Sequence, residues 1–140
     1  MATRDETAMR LWKSAPRYIK QFVGPALFVA GKRIETAAQI SITDGAVSGD
    51  NHEPSEPGKP PNNDTGVLAN NIETVQITQL KVEVSSNAPY AAAQEFGRET
   101  PTRLPARPYM APAANKERAN ATKIVQRAVA QAVRSAAKGL

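Results

Sequence analysis

Two groups of charged residues in this 140-residue chain are placed where they could do chemistry. Glu95 stands directly before Phe96-Gly97, and Arg107 directly before Pro108. A proline disfavours the helical region for the residue ahead of it. Arg107 is therefore expected on extended backbone, with its planar guanidinium held in one direction. An ion pair between Arg107 and Glu95 is the expectation, fixing the loop of residues 98–106 within the subunit or across an interface between subunits. The second group is a row of cations: Lys116, Lys123, Arg127, Arg134 and Lys138 fall on one side of a helix at about 100° per residue. Such a row could meet phosphates and release their condensed counterions. The stronger reading is that such a row is solvated, or pairs with carboxylates such as those of residues 44–75 in an adjacent subunit. No aromatic residue interleaves with these cations, so stacking on single strands is not expected.

The residues that enzymes need are sparse. The chain has no cysteine and one histidine, His52, in its most polar stretch, so disulfides and thiolate metal sites are excluded and a reducing cytosol suits the chain. No Ser/His/Asp or Cys/His set, no glycine-rich phosphate loop and no activated carboxylate pair is present. Glu53 and Glu56 read as solubilising groups. The expectation is a protein that is not an enzyme, with no catalytic residues, no cofactor and no metal. The longest apolar stretch, Ile19 to Ala30, is interrupted by Lys20, Gln21, Gly24 and Pro25, so no membrane span is expected. Met1 to Arg10 lack the apolar core of a secretory signal.

The elements that must carry these groups follow from pattern. Residues 1–43 hold seven basic and three acidic groups, residues 44–75 one and six, residues 76–113 four and three, and residues 114–140 six and one. Two basic, helix-like ends thus flank an acidic, turn-rich middle. Thr3 to Glu6 fit a capping box. Pro16 and Pro25 then predict two or three helical pieces rather than one, the surest from about 25 to 42, where Ala26, Ala30, Ile34, Ala37 and Ala38 recur at helical spacing. Residues 44–66 hold four prolines and four glycines and read as a long loop or arm. From Asn71 the period changes to alternation with many β-branched residues, predicting strands up to Ser86. The last helix is predicted over 114–138, with Ala121, Ile124, Val125, Ala128, Val129, Ala132, Val133 and Ala136 on the face opposite the cations, Pro112 closing the segment before it and Gly139 ending it. The sum is a single α+β domain over 1–140: a helical N-terminal part (1–43), a long Pro/Gly-rich loop or arm (44–69), a small mostly antiparallel sheet with a motif loop (70–113), and a long amphipathic C-terminal helix (114–138).

Three stretches in order resemble a known signature. Pro57-Gly58-Lys59-Pro60-Pro61 leads through Thr65-Gly66-Val67-Leu68; Tyr90-Ala91 leads to Glu95-Phe96-Gly97; and Ala106-Arg107-Pro108-Tyr109-Met110-Ala111-Pro112 follows. Together with the amphipathic helix they are similar to the neck or tail-completion family of long-tailed double-stranded DNA bacteriophages, over roughly residues 57–138. Tyr109 stands where that family usually has phenylalanine, and Asn70 where it often has a basic residue. The resemblance implies a structural virion protein at the head-tail junction, assembled in the bacterial cytoplasm as a ring of identical subunits, a hexamer favoured. Its neighbours would be the head connector or stopper and the tail tube or tail terminator, with double-stranded DNA passing through the lumen. The tail-completion or morphogenesis family of contractile-tailed phages shares the arrangement and remains an alternative, as does a small basic nucleic-acid-binding protein, suited by a pI near 9.7. Physically, Phe96 and Tyr109 are expected to plug the core, and Gly66 and Gly97 to take positive φ at element boundaries.

Overall fold

The structure, a computed structural model, describes residues 3–44, 49–62 and 64–138. In chain order it comprises α1 (Arg4–Thr43), a 3-10 turn (Gly49–Asn51), α2 (Val67–Asn70), β1 (Ile72–Thr78), β2 (Lys81–Ser86), α3 (Ala91–Phe96) and α4 (Met110–Lys138). Helices thus combine with a two-stranded antiparallel sheet, β1 beside β2, the α+β class expected from sequence. No helix among the described residues is long and apolar enough to cross a membrane. The proposed helix stop at Gly139 lies outside the described residues.

The capping box forms as read. The Thr3 amide donates to the Glu6 carboxylate at 3.0 Å and the Glu6 amide to the Thr3 hydroxyl at 3.2 Å. The helix that follows is one element of 40 residues, with Pro16 and Pro25 inside it, not the two or three pieces expected. Each proline removes a bond to the carbonyl four residues earlier, that of Trp12 or Gln21. Trp12, Pro16, Gln21 and Pro25 are all exposed, so water can satisfy the freed carbonyls and the helix runs on.

The described chain divides into two compact units. Each unit has buried residues of its own. The first unit, the described parts of Met1–Gly31, Val75–Glu83 and Ala119–Leu140, buries mostly small residues. On α1 these are Val23, Gly24, Ala30 and Gly31; on α4 they are Ala128, Ala132 and Ala136, one helical turn apart. The hairpin turn comes so near α1 that a Cβ on Gly24 would lie 2.5 Å from the Gln79 carbonyl oxygen.

The second unit, Lys32–Thr74 and Val84–Arg118, holds the larger core. Ala38, Ile42, Leu68, Ala69, Ile72, Ala88, Ala91, Tyr109 and Ala113 are buried together, with Ile34, Ala37, Val84 and Met110 packed against them. Among the described residues one charged group is buried with this unit. Glu35, at 8% exposure, accepts from Lys32 Nζ at 3.0 Å and from the Thr74 hydroxyl at 2.6 Å, tying α1 to β1. Burial pushes its carboxyl up, but the Thr74 hydroxyl and the Lys32 charge together hold it below the usual carboxylate value. Arg33 Nε pairs with Glu117 of α4 at 3.0 Å.

Candidate functional site

The motif residues meet in the second unit, where α3 hands the chain to α4. Gly97 ends α3 with φ 74°, a conformation L side chains rarely adopt. A Cβ there would also lie 2.8 Å from the Leu104 carbonyl oxygen and 3.0 Å from the Ala106 nitrogen. The following residues double back, with Arg98 and Leu104 exchanging backbone bonds of 2.9 and 2.8 Å, and the Arg107 amide donates to the Gln94 carbonyl at 2.6 Å. This return places the start of α4 against the Glu95 side chain.

Glu95 then binds the open end of that helix. Its Oε2 accepts from the amides of Tyr109 (2.7 Å) and Met110 (3.0 Å), and its Oε1 from the amide of Ala111 (3.0 Å). A helix leaves its first amides without an internal partner; here one carboxylate takes three, and the next residue, Pro112, has none to satisfy. A carboxylate is also the charge that the positive end of the helix dipole favours. Pro112 therefore sits inside the first turn, where proline is tolerated, and α4 begins at Met110, four residues before the start expected from sequence.

The expected Glu95–Arg107 ion pair does not form. Glu95 is taken by the helix amides, and Arg107 Nε donates instead to the Ser55 carbonyl at 3.0 Å. That bond, with Gly58 amide to Ala106 carbonyl at 2.9 Å, holds Ser55 and Gly58 against the motif loop. Within the described part of the 44–69 segment Asn62 donates to the Glu53 carbonyl at 2.8 Å and the Gly49 amide to Asp64 at 3.0 Å.

Tyr109 is the plug it was expected to be, 1% exposed, with its hydroxyl 2.6 Å from the Ser86 hydroxyl at the end of β2. Burial raises the phenol pKa above its usual value; the Ser86 bond opposes this, and the charges of Glu95 and Tyr90 add to it. Phe96 is not a plug. It is 81% exposed, because Ala91 and Glu95, one turn apart, take the inward side of the six-residue α3 and Phe96 falls about 100° further round. Tyr90, before α3, is 39% exposed. Gly66 has the positive φ expected, 84°, before α2, where Leu68 is buried; Thr65 is exposed and Pro108 half-buried.

Hollows accompany these elements among the described residues. A cavity of about 380 Å³ in the second unit is lined by His52, Asn62, Asp64, Thr65, Tyr90 and Gln94 among others, with His52 Nδ1 4.0 Å from Asp64 Oδ1. The Gln94 Oε1 and the Ser55 hydroxyl are buried with no hydrogen-bond partner. A shallow groove of about 500 Å³ in the first unit runs past Lys20, Gly24, Phe28 and Gln79. Among the described residues no three His, Cys, Asp or Glu side chains gather where a metal could be held.

Along α4, Lys116, Lys123, Arg127, Arg134 and Lys138 are exposed, and none of the five makes an ion pair among the described residues. The opposite face is buried at Ala128, Ala132 and Ala136 as expected, whereas Val129 and Val133 remain 39% and 47% exposed. Sequence reasoning missed Ser55, Gln94 and Ser86, since two of the contacts use main-chain carbonyls, which every residue has. It also missed the burial of Glu35, which only its position among apolar neighbours on α1 could have signalled. No protein-family model, curated protein or solved structure matches this chain.

Proposed function

We infer that the chain is a structural virion protein of a long-tailed double-stranded DNA phage, working at the head-tail junction. In this reading copies form a ring around the DNA path, with a hexamer favoured, and join the tail tube to the head connector. Its work is mechanical, with no catalytic step. The observation that carries the reading is a division of labour among the signature residues. Gly97, Glu95, Tyr109 and Pro112 are consumed in holding α3 to α4, while large apolar groups stand in solvent. Phe96 of the signature, and Trp12 outside it, are each 81% exposed, and aromatics of this size are suited to anchoring a protein partner. A second reading, a nucleic-acid-binding protein, draws on the five exposed cations of α4 and predicts salt-sensitive duplex binding by isolated monomers.

Negative-stain electron microscopy of the purified chain, alone and mixed with tail tubes, tests the first reading. Rings alone, or caps at one end of the tubes, are the expected result. Monomers that leave tubes bare, together with duplex binding that fades with salt, would transfer the assignment to the second.

A further inference from the structure

We propose that, within such a ring, the cation row of α4 in one copy seats the acidic 50–56 loop of the next copy. The inference rests on the ring reading and names the contact that closes the ring. Lys123, Arg127, Arg134 and Lys138 lie on one exposed side of α4, spread over roughly 22 Å at 1.5 Å per residue. No side-chain hydrogen bond or ion pair is made by any of them among the described residues. The matching charge lies elsewhere in the chain, where residues 44–75 carry six acidic groups against one basic. In the described loop Asp50, Glu53 and Glu56 are exposed, and their carboxylates likewise have no partner among the described residues.

The loop is held in place for this use. The Glu53 carbonyl is tied by Asn62 and the Ser55 carbonyl by Arg107; the Glu56 carbonyl accepts from the Lys59 amide at 3.1 Å. Carboxylates on a fixed backbone lose little freedom on docking, which is the condition for weak surface charges to add up to a contact. Helix row and loop are different surfaces, so the contact is head-to-tail, the type that closes a ring or runs on as a fibre. A second copy is the better occupant than DNA, because the same chain would otherwise present an unneutralised acidic loop that repels phosphate, and no aromatic residue interleaves with the cations.

The test is sedimentation of the full chain in low and high salt, for wild type and three variants with helix content checked by circular dichroism. The variants are Lys123→Glu with Arg127→Glu, Glu53→Lys with Glu56→Lys, and all four together. Wild type is expected to self-associate in low salt. Each pair alone should weaken self-association about tenfold or more, and the fourfold swap should restore it, which a folding defect cannot do. Oligomers that survive both pairs unchanged overturn the proposal while leaving the ring reading intact. A helix pair that loses duplex binding but not self-association assigns the row to DNA and overturns it as well. Wild type that stays monomeric in low salt and leaves tail tubes bare overturns both.

Discussion

Replacing Glu95 by alanine removes the acceptor of three amides, that of Tyr109 just before α4 and those of Met110 and Ala111 in its first turn. Two of those amides, on Tyr109 and Met110, are in part-buried surroundings, at 2.7 and 3.0 Å from the carboxylate; the third, on Ala111, is exposed and can turn to water. Losing a cap costs about 1 kcal/mol, and leaving buried donors without acceptors costs about 1–3 kcal/mol more. For Glu95→Ala we therefore expect a loss of roughly 3 kcal/mol. Glu95→Gln keeps one oxygen for Tyr109 and Met110 but turns an amide NH₂ toward Ala111 and removes the charge at the helix end, costing roughly 1–2 kcal/mol. Urea unfolding followed by far-ultraviolet circular dichroism measures both, and the order wild type, Gln, Ala is the signature of the cap. The reasoning fails if Glu95→Ala unfolds within about 0.5 kcal/mol of wild type. It fails equally if Arg107→Met costs as much as Glu95→Ala and abolishes its effect, since that is how an ion pair between the two would behave.

Glu35 sets an acid limit on the fold. Its folded pKa lies below the usual 4.5, so the unfolded chain binds the proton more readily. Its contribution is present above about pH 4.5 and disappears as the pH falls through the lower folded value; Glu35→Gln should flatten the acid limb of a stability-against-pH curve, and an unchanged limb would count against it. Gly24→Ala raises helix propensity by about 1 kcal/mol, yet its methyl would meet the Gln79 carbonyl at 2.5 Å. The clash should win by roughly 1–2 kcal/mol, and a higher melting temperature would show that the hairpin turn yields. Phe96→Ser should leave stability within about 0.5 kcal/mol but reduce capping of tail tubes, whereas Tyr109→Phe should cost about 1 kcal/mol by stranding the Ser86 hydroxyl. Equal losses of stability in the two would place Phe96 in the core after all.

What the sequence disclosed was what is local or repeated. The capping box at Thr3 is legible because donor and acceptor are three residues apart, and the two faces of α4 because 29 residues sample the helical period many times. Pro16 and Pro25 misled because their cost depends on whether the freed carbonyls meet water, which is decided by the side of α1 they occupy. Glu95 and Arg107 misled for a different reason. Opposite charges invite pairing on paper, but the competing partners were backbone amides 14 to 16 positions away and a carbonyl 52 away, and a sequence does not mark its main-chain donors and acceptors.

The exposure of Phe96 separates what a signature encodes from what it serves. In the stretch from Ala91 to Gly97 the inward positions are taken by Ala91 and Glu95, and the glycine is required by its φ and by the approach of Leu104. None of these constrains Phe96, which folding would tolerate as almost any residue, and a large apolar side chain left 81% in solvent costs free energy with no return inside the subunit. In the proposed reading that return comes from a partner that covers it. The same holds for Trp12, also 81% exposed, on the part of α1 where residues 3–10 are exposed throughout. In that reading the partner-facing information of this chain lies in residues its fold does not use. Substitutions at Phe96 and Trp12 should separate assembly from folding, while substitutions at Glu95, Gly97 and Tyr109 should affect both together.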